Sequence, residues 1–343
     1  VGGLFFFFCY WVDYHRWRDI LVPIILVIIA MLVYVLGFGT AVNGAKRWIY
    51  IGSFSVQPAE FAKICSVMIE AYYLSYCIQK RQAFKLIQSQ HGTLVVLAAL
   101  VELEPDMGTM MIILGVPLLM LIVAGLDMGK IKNLIFIVVA AATALCIYQP
   151  YRLQRIKVML DPWADAQGMG YQTVQSITAI GSGGFWGMGL GEGLAKYAYL
   201  PEAHTDFAFA VFCQENGFLL AAGLIILYGL LGYFGAKIAK NAYDAYGQVL
   251  AGGLVILICL QAVINMFMVS GFLPVIGVPL PFISYGGCSL LVSMAALGIL
   301  VNINRYSLIK QRKMEKLTEH NLANRQKPMR LMPGQRPKLT RIK

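Results

Sequence analysis

The chain has 343 residues, of which 59% are hydrophobic and 13% are charged. A soluble domain is typically about 45–50% apolar and about 25% charged, so an ordinary water-soluble fold is excluded. The net charge of +11 does not indicate nucleic-acid binding, because 12 of the 28 Lys and Arg residues lie between Arg305 and Lys343, after the last apolar block. The composition indicates a polytopic membrane protein with a basic tail.

The apolar residues fall into blocks separated by short polar segments. The first block ends at Asp13 after only 12 residues, too short to cross about 30 Å of hydrocarbon. Neither a basic segment nor an initiator methionine precedes it, so we interpret it as a truncated first helix and not as a signal peptide. The further predicted spans are Ile20–Phe38, Phe61–Ile78, Thr93–Leu103, Gly108–Leu126, Leu134–Tyr148, Phe207–Lys237, Gln248–Val269 and Pro281–Val301.

This pattern predicts an all-α, polytopic transmembrane bundle of about nine helices, with the first missing or truncated. Residues 1–304 form the membrane domain, and residues 305–343 are predicted to be a basic, largely disordered cytoplasmic tail. Placing the Asp13–Asp19 loop in the cytoplasm puts 21 of the 28 basic residues on that side, in agreement with the bias of cytoplasmic loops toward Lys and Arg. The seven cysteines lie in or beside apolar blocks without metal-ligand spacing and are interpreted as small hydrophobic residues.

Two outer segments are rich in glycine or proline. The outer loop at about residues 150–205 has glycine-rich turns and few charges, which favours re-entrant or interfacial structure. Its glycines lack the strand and helix of a nucleotide-binding unit. Ser270–Gly287 contains three prolines and four glycines, and we expect it to wall a polar cleft, the alternative being a plain loop.

Several cations are predicted at the outer face, where the positive-inside bias does not explain them. Such cations beside a lipid-accessible bundle suit a phosphate or diphosphate head group; the alternative is that they only extend to the interface. Lys63 has a further alternative, because Glu60 lies one helical turn earlier and can pair with it.

Asp206 stands where an apolar helix begins. Its carboxylate can accept a proton from a sugar hydroxyl. The alternative is that Asp206 or Thr205 is simply the helix cap. His204 is either a general base or an interfacial hydrogen-bonding residue.

These motifs resemble the SEDS family of cell-wall proteins (FtsW, RodA, SpoVE), and the FtsW and SpoVE branch is the more similar. The resemblance runs from the first residues to about Arg305. It rests on Asn43-Gly-Ala-Lys-Arg-Trp48, Gln57-Pro-Ala-Glu-Phe-Ala-Lys63, Pro105-Asp-Met-Gly-Thr109, Asp161-Pro-Trp-Ala-Asp165, Gly170-Tyr-Gln172, Gly183-Gly184, Gly189-Leu-Gly191, Leu200-Pro-Glu-Ala-His-Thr-Asp-Phe207 and Leu280-Pro-Phe-Ile-Ser-Tyr-Gly-Gly287.

The resemblance implies a membrane glycosyltransferase of ten helices that polymerises lipid II in the bacterial plasma membrane, with a class B penicillin-binding protein as cross-linking partner. It implies that Asp206 is the catalytic residue and that the active site is on the outer face. The implied substrate-binding residues are Arg47, Lys63, Arg155, Lys196, His204 and Ser284.

Four positions depart from the family pattern. Gln214 replaces one of two adjacent acids, which puts full activity in doubt, and Ala59, Glu104 and Cys288 replace Ser, Gln and Ser.

The predicted reaction needs only one carboxylate, because a polyprenyl diphosphate leaves without being protonated. Asp206 would be the base or would hold a divalent cation, magnesium or manganese, while the cations neutralise the diphosphate. A flippase for lipid-linked precursors is the alternative, although Glu70 and Asn265 are the main polar residues deep within predicted spans. A scaffold that only recruits a cross-linking enzyme would leave Asp206 unexplained. A role in division or in sporulation is left open.

Overall fold

The computed structural model describes residues 1–42, 45–52, 54–85, 88–127, 129–133, 150–193, 195 and 200–326. The first part of the chain forms helices α1 (Gly2–Trp11), α2 (Tyr14–Asp19), α3 (Leu21–Phe38), α4 (Pro58–Lys80), α5 (Ser89–Leu103) and α6 (Met107–Val123). The second part forms α7 (Pro150–Leu160), α8 (Tyr171–Ser182), α9 (Ala208–Lys240), α10 (Ala245–Val269) and α11 (Gly287–Gln326).

The described helices confirm an all-α, multi-pass membrane protein. Five of them, α3, α4, α9, α10 and α11, are long and apolar enough to cross a membrane. The shorter helices α5 and α6 are separated by a reversal at residues 104–106, and the Asp106 carboxylate caps α6 by accepting a bond from the Thr109 N–H at 3.1 Å. The predicted span Leu134–Tyr148 lies outside the described residues.

Helix α4 lies at the centre of the bundle and packs against α3, α6 and α10. It is buried along most of its length, which a helix can achieve only when neighbours cover all its faces. Helix α9, in contrast, is mostly exposed in the isolated chain. A second hydrophobic cluster packs the start of α9 against α8 and the end of α10, and it includes Phe207, directly after Asp206.

A small antiparallel sheet, absent from the sequence prediction, follows α3. Its strands are β1 (Thr40–Val42), β2 (Ala45–Ile51) and β3 (Phe54–Val56), in the order β1-β2-β3. The β-branched and aromatic residues of these segments favour strands. Strand β2 carries Arg47, one of the predicted binding residues.

The outer loop predicted at about residues 150–205 contains two helices, α7 and α8, and a 3₁₀ turn at Pro162–Asp165. Helix α8 packs against α9 and α10, and the Ser176 hydroxyl donates to the Val269 carbonyl at 2.7 Å. A large part of this segment is therefore packed helix.

Helix α11 differs from the prediction at both ends. It begins at Gly287 and not at Pro281, because the preceding prolines and glycines form turns instead of a helix. It continues to Gln326, past Arg305, where we predicted the disordered tail to begin. That prediction was wrong for residues 305–326, since no proline occurs there before Pro328 and helix-forming residues predominate. Residues 327–343 lie outside the described residues.

Candidate active site

A polar cleft of about 630 Å³ opens at the end of the bundle where α4 and α11 begin. Its walls come from β2, the reversal after α5, α7, the turn before α9 and the segment before α11. Segment 270–287 thus contributes to the wall, as predicted from its prolines and glycines. The charged residues of the lining are Arg47, Glu60, Asp106, Arg155, Glu202 and Asp206.

Asp206 lies in the turn that leads into α9, with its carboxylate at the cleft. The Asn265 side-chain amide donates to the Asp206 carbonyl at 2.7 Å and fixes the backbone at this point. Gly277, at φ 70°, is a neighbour of the carboxylate, since a Cβ there would be in van der Waals contact with the Asp206 Oδ2 atom at 3.4 Å. Both residues line the cleft.

Neither Asp206 nor Thr205 caps the helix. Phe207 occupies the cap position of α9, without a side-chain hydrogen bond. The Thr205 hydroxyl donates instead to Glu202 Oε2 at 2.9 Å. Within the described part of the chain, the capping alternative therefore has no geometric support.

The environment of Asp206 raises the pKa of its carboxyl to about 6. Burial is the main cause, and the negative charges of Glu202, Asp106 and Glu60 add to it, while Arg47 opposes the shift. Asp206 is therefore ionised at neutral pH and can accept a proton there, whereas below about pH 6 it becomes protonated.

The structure brings Arg47 and Arg155 to the same cleft as Asp206. The Arg47 Nε donates to the Glu104 carbonyl at 2.9 Å, and an Nη donates to the Pro105 carbonyl. The Arg155 guanidinium donates to the Val275 carbonyl. Because backbone carbonyls hold both guanidiniums, these side chains are oriented before any ligand binds.

The structure places Lys63 away from the cleft lining. Its side chain is only 1% exposed, and its Nζ donates to Glu60 Oε1 at 2.8 Å and to Gln261 Oε1 at 3.1 Å. This is the helical pair that the sequence offered as the alternative. Glu60 itself reaches the cleft.

His204 and Ser284 are also not among the residues that line the cleft. His204 is exposed, and its carbonyl accepts a bond from the Tyr285 N–H at 2.7 Å. Ser284 is buried, and its hydroxyl accepts a bond from the Leu280 N–H at 2.7 Å. Lys196 lies outside the described residues.

Several residues of the cleft were not assigned to substrate binding from the sequence. Asp106 and Glu202 lie within the motifs quoted above, but nothing in their spacing marked them as cleft residues. Gln57, Gln172 and Tyr285 lie within the motifs quoted above, which was the available signal. Cys288 also lines the cleft and donates its thiol hydrogen to the Ser55 carbonyl at 3.3 Å.

The described residues contain no group of three or more His, Cys, Asp or Glu side chains arranged to hold a metal ion. Asp206 therefore does not belong to a metal cage built from the described side chains. The divalent cation stays a prediction from the sequence.

Comparison with known proteins identifies the family. The family model FTSW_RODA_SPOVE, described as "Cell cycle protein", matches residues 1–309. The chain is 41% identical over 300 residues to the probable peptidoglycan glycosyltransferase FtsW of Trichlorobacter lovleyi, covering 85% of this chain and 78% of the relative. It is 37% identical over 310 residues to the stage V sporulation protein E of Bacillus subtilis, covering 90% and 85%.

The fold agrees with this assignment. A solved structure described as showing "structural coordination of polymerization and crosslinking by a peptidoglycan synthase complex" contains a similar chain, with a TM-score of 0.74 and 26% identity. The match covers 89% of this chain and 87% of the other. The fold is that of a multi-pass membrane protein, and a cleft lined by acidic and basic side chains lies at one end of its bundle. The chain belongs to the FtsW/RodA/SpoVE family, which confirms the resemblance found in its sequence.

Proposed function

We propose that this protein is a peptidoglycan glycosyltransferase that polymerises lipid II. The observation that carries the proposal is the Asp206 carboxylate, which shares one membrane-protein cleft with two oriented guanidiniums, Arg47 and Arg155. The relative from Trichlorobacter lovleyi, named as a probable peptidoglycan glycosyltransferase, supports the same chemistry.

In the proposed reaction, Asp206 accepts the proton of a sugar 4-hydroxyl. The hydroxyl oxygen forms a bond to the anomeric carbon of a second sugar, and the bond from that carbon to the diphosphate breaks. Attack from the opposite face inverts the configuration, and the electron pair leaves with the polyprenyl diphosphate. One base suffices, because a diphosphate is a stable leaving group.

The diphosphate carries the charge that has to be stabilised as the bond breaks. Arg47 and Arg155 are the basic residues among the described cleft lining, and guanidiniums bind phosphate oxygens through paired N–H donors. For Lys63 we propose an indirect role, in which its ammonium pairs with Glu60, a residue of the cleft lining. A divalent cation, if used, would supply further positive charge at the diphosphate.

The decisive experiment is polymerisation of lipid II by purified protein, with Asp206→Asn as the variant. We expect a loss of roughly 100- to 10,000-fold, because the amide cannot accept the proton. Asp161→Asn is the matched control, because the exposed Asp161 caps a turn by accepting from the Trp163 N–H at 3.2 Å and an Asn can do the same. A fully active, folded Asp206→Asn protein would refute the mechanism. Repeating the polymerisation assay with a chelator tests whether the reaction needs a divalent cation.

The flippase alternative receives less support from the geometry. Asn265 donates to the carbonyls of Asp206 and Val278, so its amide has a structural role. Glu70 is fully buried, with His91 Nε2 at 3.2 Å. Neither belongs to the cleft lining in the described part of the chain. In detergent there is no second compartment, so a flippase has no detectable activity there. Formation of glycan strands by the purified protein in detergent would therefore distinguish a polymerase from a flippase and from a scaffold.

We further propose that the cleft faces the outer leaflet of the plasma membrane and that the basic end of α11 is cytoplasmic. The positive-inside distribution supports this orientation. The partner would be a class B penicillin-binding protein, in line with the peptidoglycan synthase complex to which this fold is similar. Polymerisation measured with and without the cognate penicillin-binding protein tests the partnership, and deletion strains would separate division from sporulation.

A further inference from the structure

The helix that follows Asp206 is interrupted. Gly217, within α9, has φ 72° and ψ −177°, a conformation that essentially only glycine adopts. Residues 208–216 therefore form a short helix of their own, which begins next to Asp206 and ends at the break.

A glycine-rich segment, residues 183–189, fills the break. In an unbroken helix, the Phe218 and Leu219 N–H groups would donate to the Gln214 and Glu215 carbonyls. Both N–H groups donate instead to carbonyls of the glycine-rich segment, and both carbonyls accept from its N–H groups. The four bonds are Phe218 N–H to Gly184 O (2.9 Å), Leu219 N–H to Phe185 O (3.3 Å), Met188 N–H to Gln214 O (3.0 Å) and Gly189 N–H to Glu215 O (3.0 Å).

The two backbones approach so closely that no side chain fits between them. A Cβ at Gly183 would overlap the Cys213 carbonyl, and one at Gly217 would overlap the Gly187 nitrogen. The glycines permit this contact, which fixes the end of the short helix that lies farther from Asp206.

Gln214 adds a side-chain connection at the same place. It is buried, its Oε1 accepts a bond from the Ala195 N–H at 3.0 Å, and its Nε2 donates to the Ser182 hydroxyl at 3.0 Å. Ser182 in turn donates to the Ala179 carbonyl at 2.8 Å. One amide therefore joins the short helix to the end of α8 and to the outer segment near residue 195.

The end of the short helix nearer the cleft is held separately. Asn265 donates to the Asp206 carbonyl at 2.7 Å, and the Tyr285 N–H donates to the His204 carbonyl at 2.7 Å. The turn that carries Asp206 and the short helix that follows it are thus hydrogen-bonded to other elements at both ends.

We propose that Gln214 is a positioning residue for Asp206: it ties residues 208–216 to the outer segment and so fixes where the carboxylate stands in the cleft. The proposal rests on the proposed function. It assigns a role to the residue at which this chain departs from the family's pair of acids. An amide suits the position because it accepts from one partner while donating to the other.

The test compares Gln214→Leu, Gln214→Glu and a matched control, Asn216→Ala, in the lipid II assay. The Asn216 amide lies on the same short helix but donates to the Phe212 carbonyl within that helix, at 3.0 Å. We expect Gln214→Leu to lower kcat at least about tenfold, with KM within about twofold, since a small displacement of a base costs turnover more than binding. The acidic limb of its pH–rate profile should also move.

Gln214→Glu should recover most of the rate, because the Ser182 hydroxyl can turn and donate to the carboxylate. Asn216→Ala should match the wild type in kcat, KM and pH profile. A folded Gln214→Leu protein with wild-type kcat and pH profile would overturn the proposal, and so would an equal loss of activity in Asn216→Ala. If Gln214→Leu does not fold in detergent, Ser182→Ala removes one of the two bonds more gently, and the same kcat and pH criteria apply to it.

Hydrogen exchange of the amides in residues 208–216 gives a readout that does not depend on polymerisation. Exchange should accelerate in Gln214→Leu and stay unchanged in Asn216→Ala. If the wild-type protein makes no glycan, the proposed function fails, and accelerated exchange would still show that Gln214 holds this helix. An unchanged exchange rate in Gln214→Leu would show that the Gln214 side chain does not hold the short helix in place.

Discussion

Polar side chains lie at both ends of the helical bundle, and their surroundings differ between the two ends. At the end away from the cleft, Asp244 caps α10, accepts a bond from the Tyr14 hydroxyl and lies 3.6 Å from His15 Nε2. Asn302 accepts from the Tyr14 N–H at 3.1 Å and donates to the Tyr10 carbonyl at 2.6 Å. These groups have partners in the folded chain, so they hold helices together.

The cleft end contains carboxylates whose partners are incomplete. Neither side-chain oxygen of the buried Glu104 has a hydrogen-bond partner among the described residues, and the same is true of Glu60 Oε2. Asp206 is surrounded mainly by other acids. Negative charges that lie close together repel one another unless a cation or a proton neutralises them. The comparison teaches that the surroundings of a carboxylate differ between the two ends: Asp244 lies beside a hydroxyl and a histidine, whereas Asp206 lies mainly among other acids.

The largest difference between the two ends should appear with Arg47→Ala. Loss of one oriented guanidinium should lower the rate of lipid II polymerisation roughly 100-fold, because charge on the leaving diphosphate is no longer stabilised. Lys46→Ala is the control on the same strand, since Lys46 is exposed and its Nζ donates to the Gly37 carbonyl at 3.1 Å, away from the cleft lining among the described residues. Similar rates in the two variants would show that Arg47 does not contact the diphosphate.

The pH dependence of the rate should come from the cleft end. Because the pKa of Asp206 is raised to about 6, the ionised base is present above pH 6 and is lost as the pH falls below it. The rate should then drop about tenfold per pH unit. The pH dependence of kcat/KM, measured with lipid II well below KM, reports the pKa of the free enzyme. A flat profile between pH 5 and pH 7 would exclude Asp206 as the base.

Asp244→Ala should act on stability at the other end. It removes a helix cap and the acceptor of the Tyr14 hydroxyl, so the free energy of unfolding should fall by about 2 kcal/mol. Thermal unfolding in detergent should show a Tm several degrees lower, with the polymerisation rate at low temperature changed less than twofold. Asp19→Ala, at an exposed side chain, is the control. A large loss of activity without a fall in Tm would contradict the division between the two ends.

The smallest effect is expected for Glu104→Gln. Burial, assisted by the charge of Asp106, raises the pKa of Glu104 to about 8, so the residue is already neutral at pH 7 and the amide resembles it. The rate at pH 7 should be unchanged. Since ionised Glu104 is disfavoured in the folded state, wild-type stability falls as the pH rises from about 4.5 to about 8, and Tm measured across that range should lose this dependence in the variant. A rate that drops tenfold would show that Glu104 acts as an acid.

The membrane spans were predictable because side chains that face lipid have to be apolar, and such spans are visible in the sequence as hydrophobic blocks. Asp206 and Arg47 were predictable as members of one polar group, but Lys63 was not separable from Arg47. Both are cations in quoted motifs, and only the fold shows that Lys63 points into the bundle toward Glu60 and Gln261.

Other features could be predicted only from three-dimensional contacts or from a sequence signal that was overlooked. Strands β1 and β2 flank an Asn43-Gly44 pair in the sequence, and this pair is typical of tight hairpins and could have predicted them. The break at Gly217 was not predictable, because glycines in apolar helices are common in membranes and a break depends on the segment that replaces the lost bonds. The helical extension of α11 was not predicted because its sequence is highly charged. A polar composition alone does not distinguish a solvent-exposed helix from a disordered chain.

The length of α11 has a mechanical consequence. At 1.5 Å per residue, its 40 residues extend about 60 Å, roughly twice the thickness of the hydrocarbon layer. The basic half therefore projects from the bilayer as a stiff rod. A protein bound to the far end of this helix would be held at a fixed distance from the membrane, on the same helix whose first residues border the cleft.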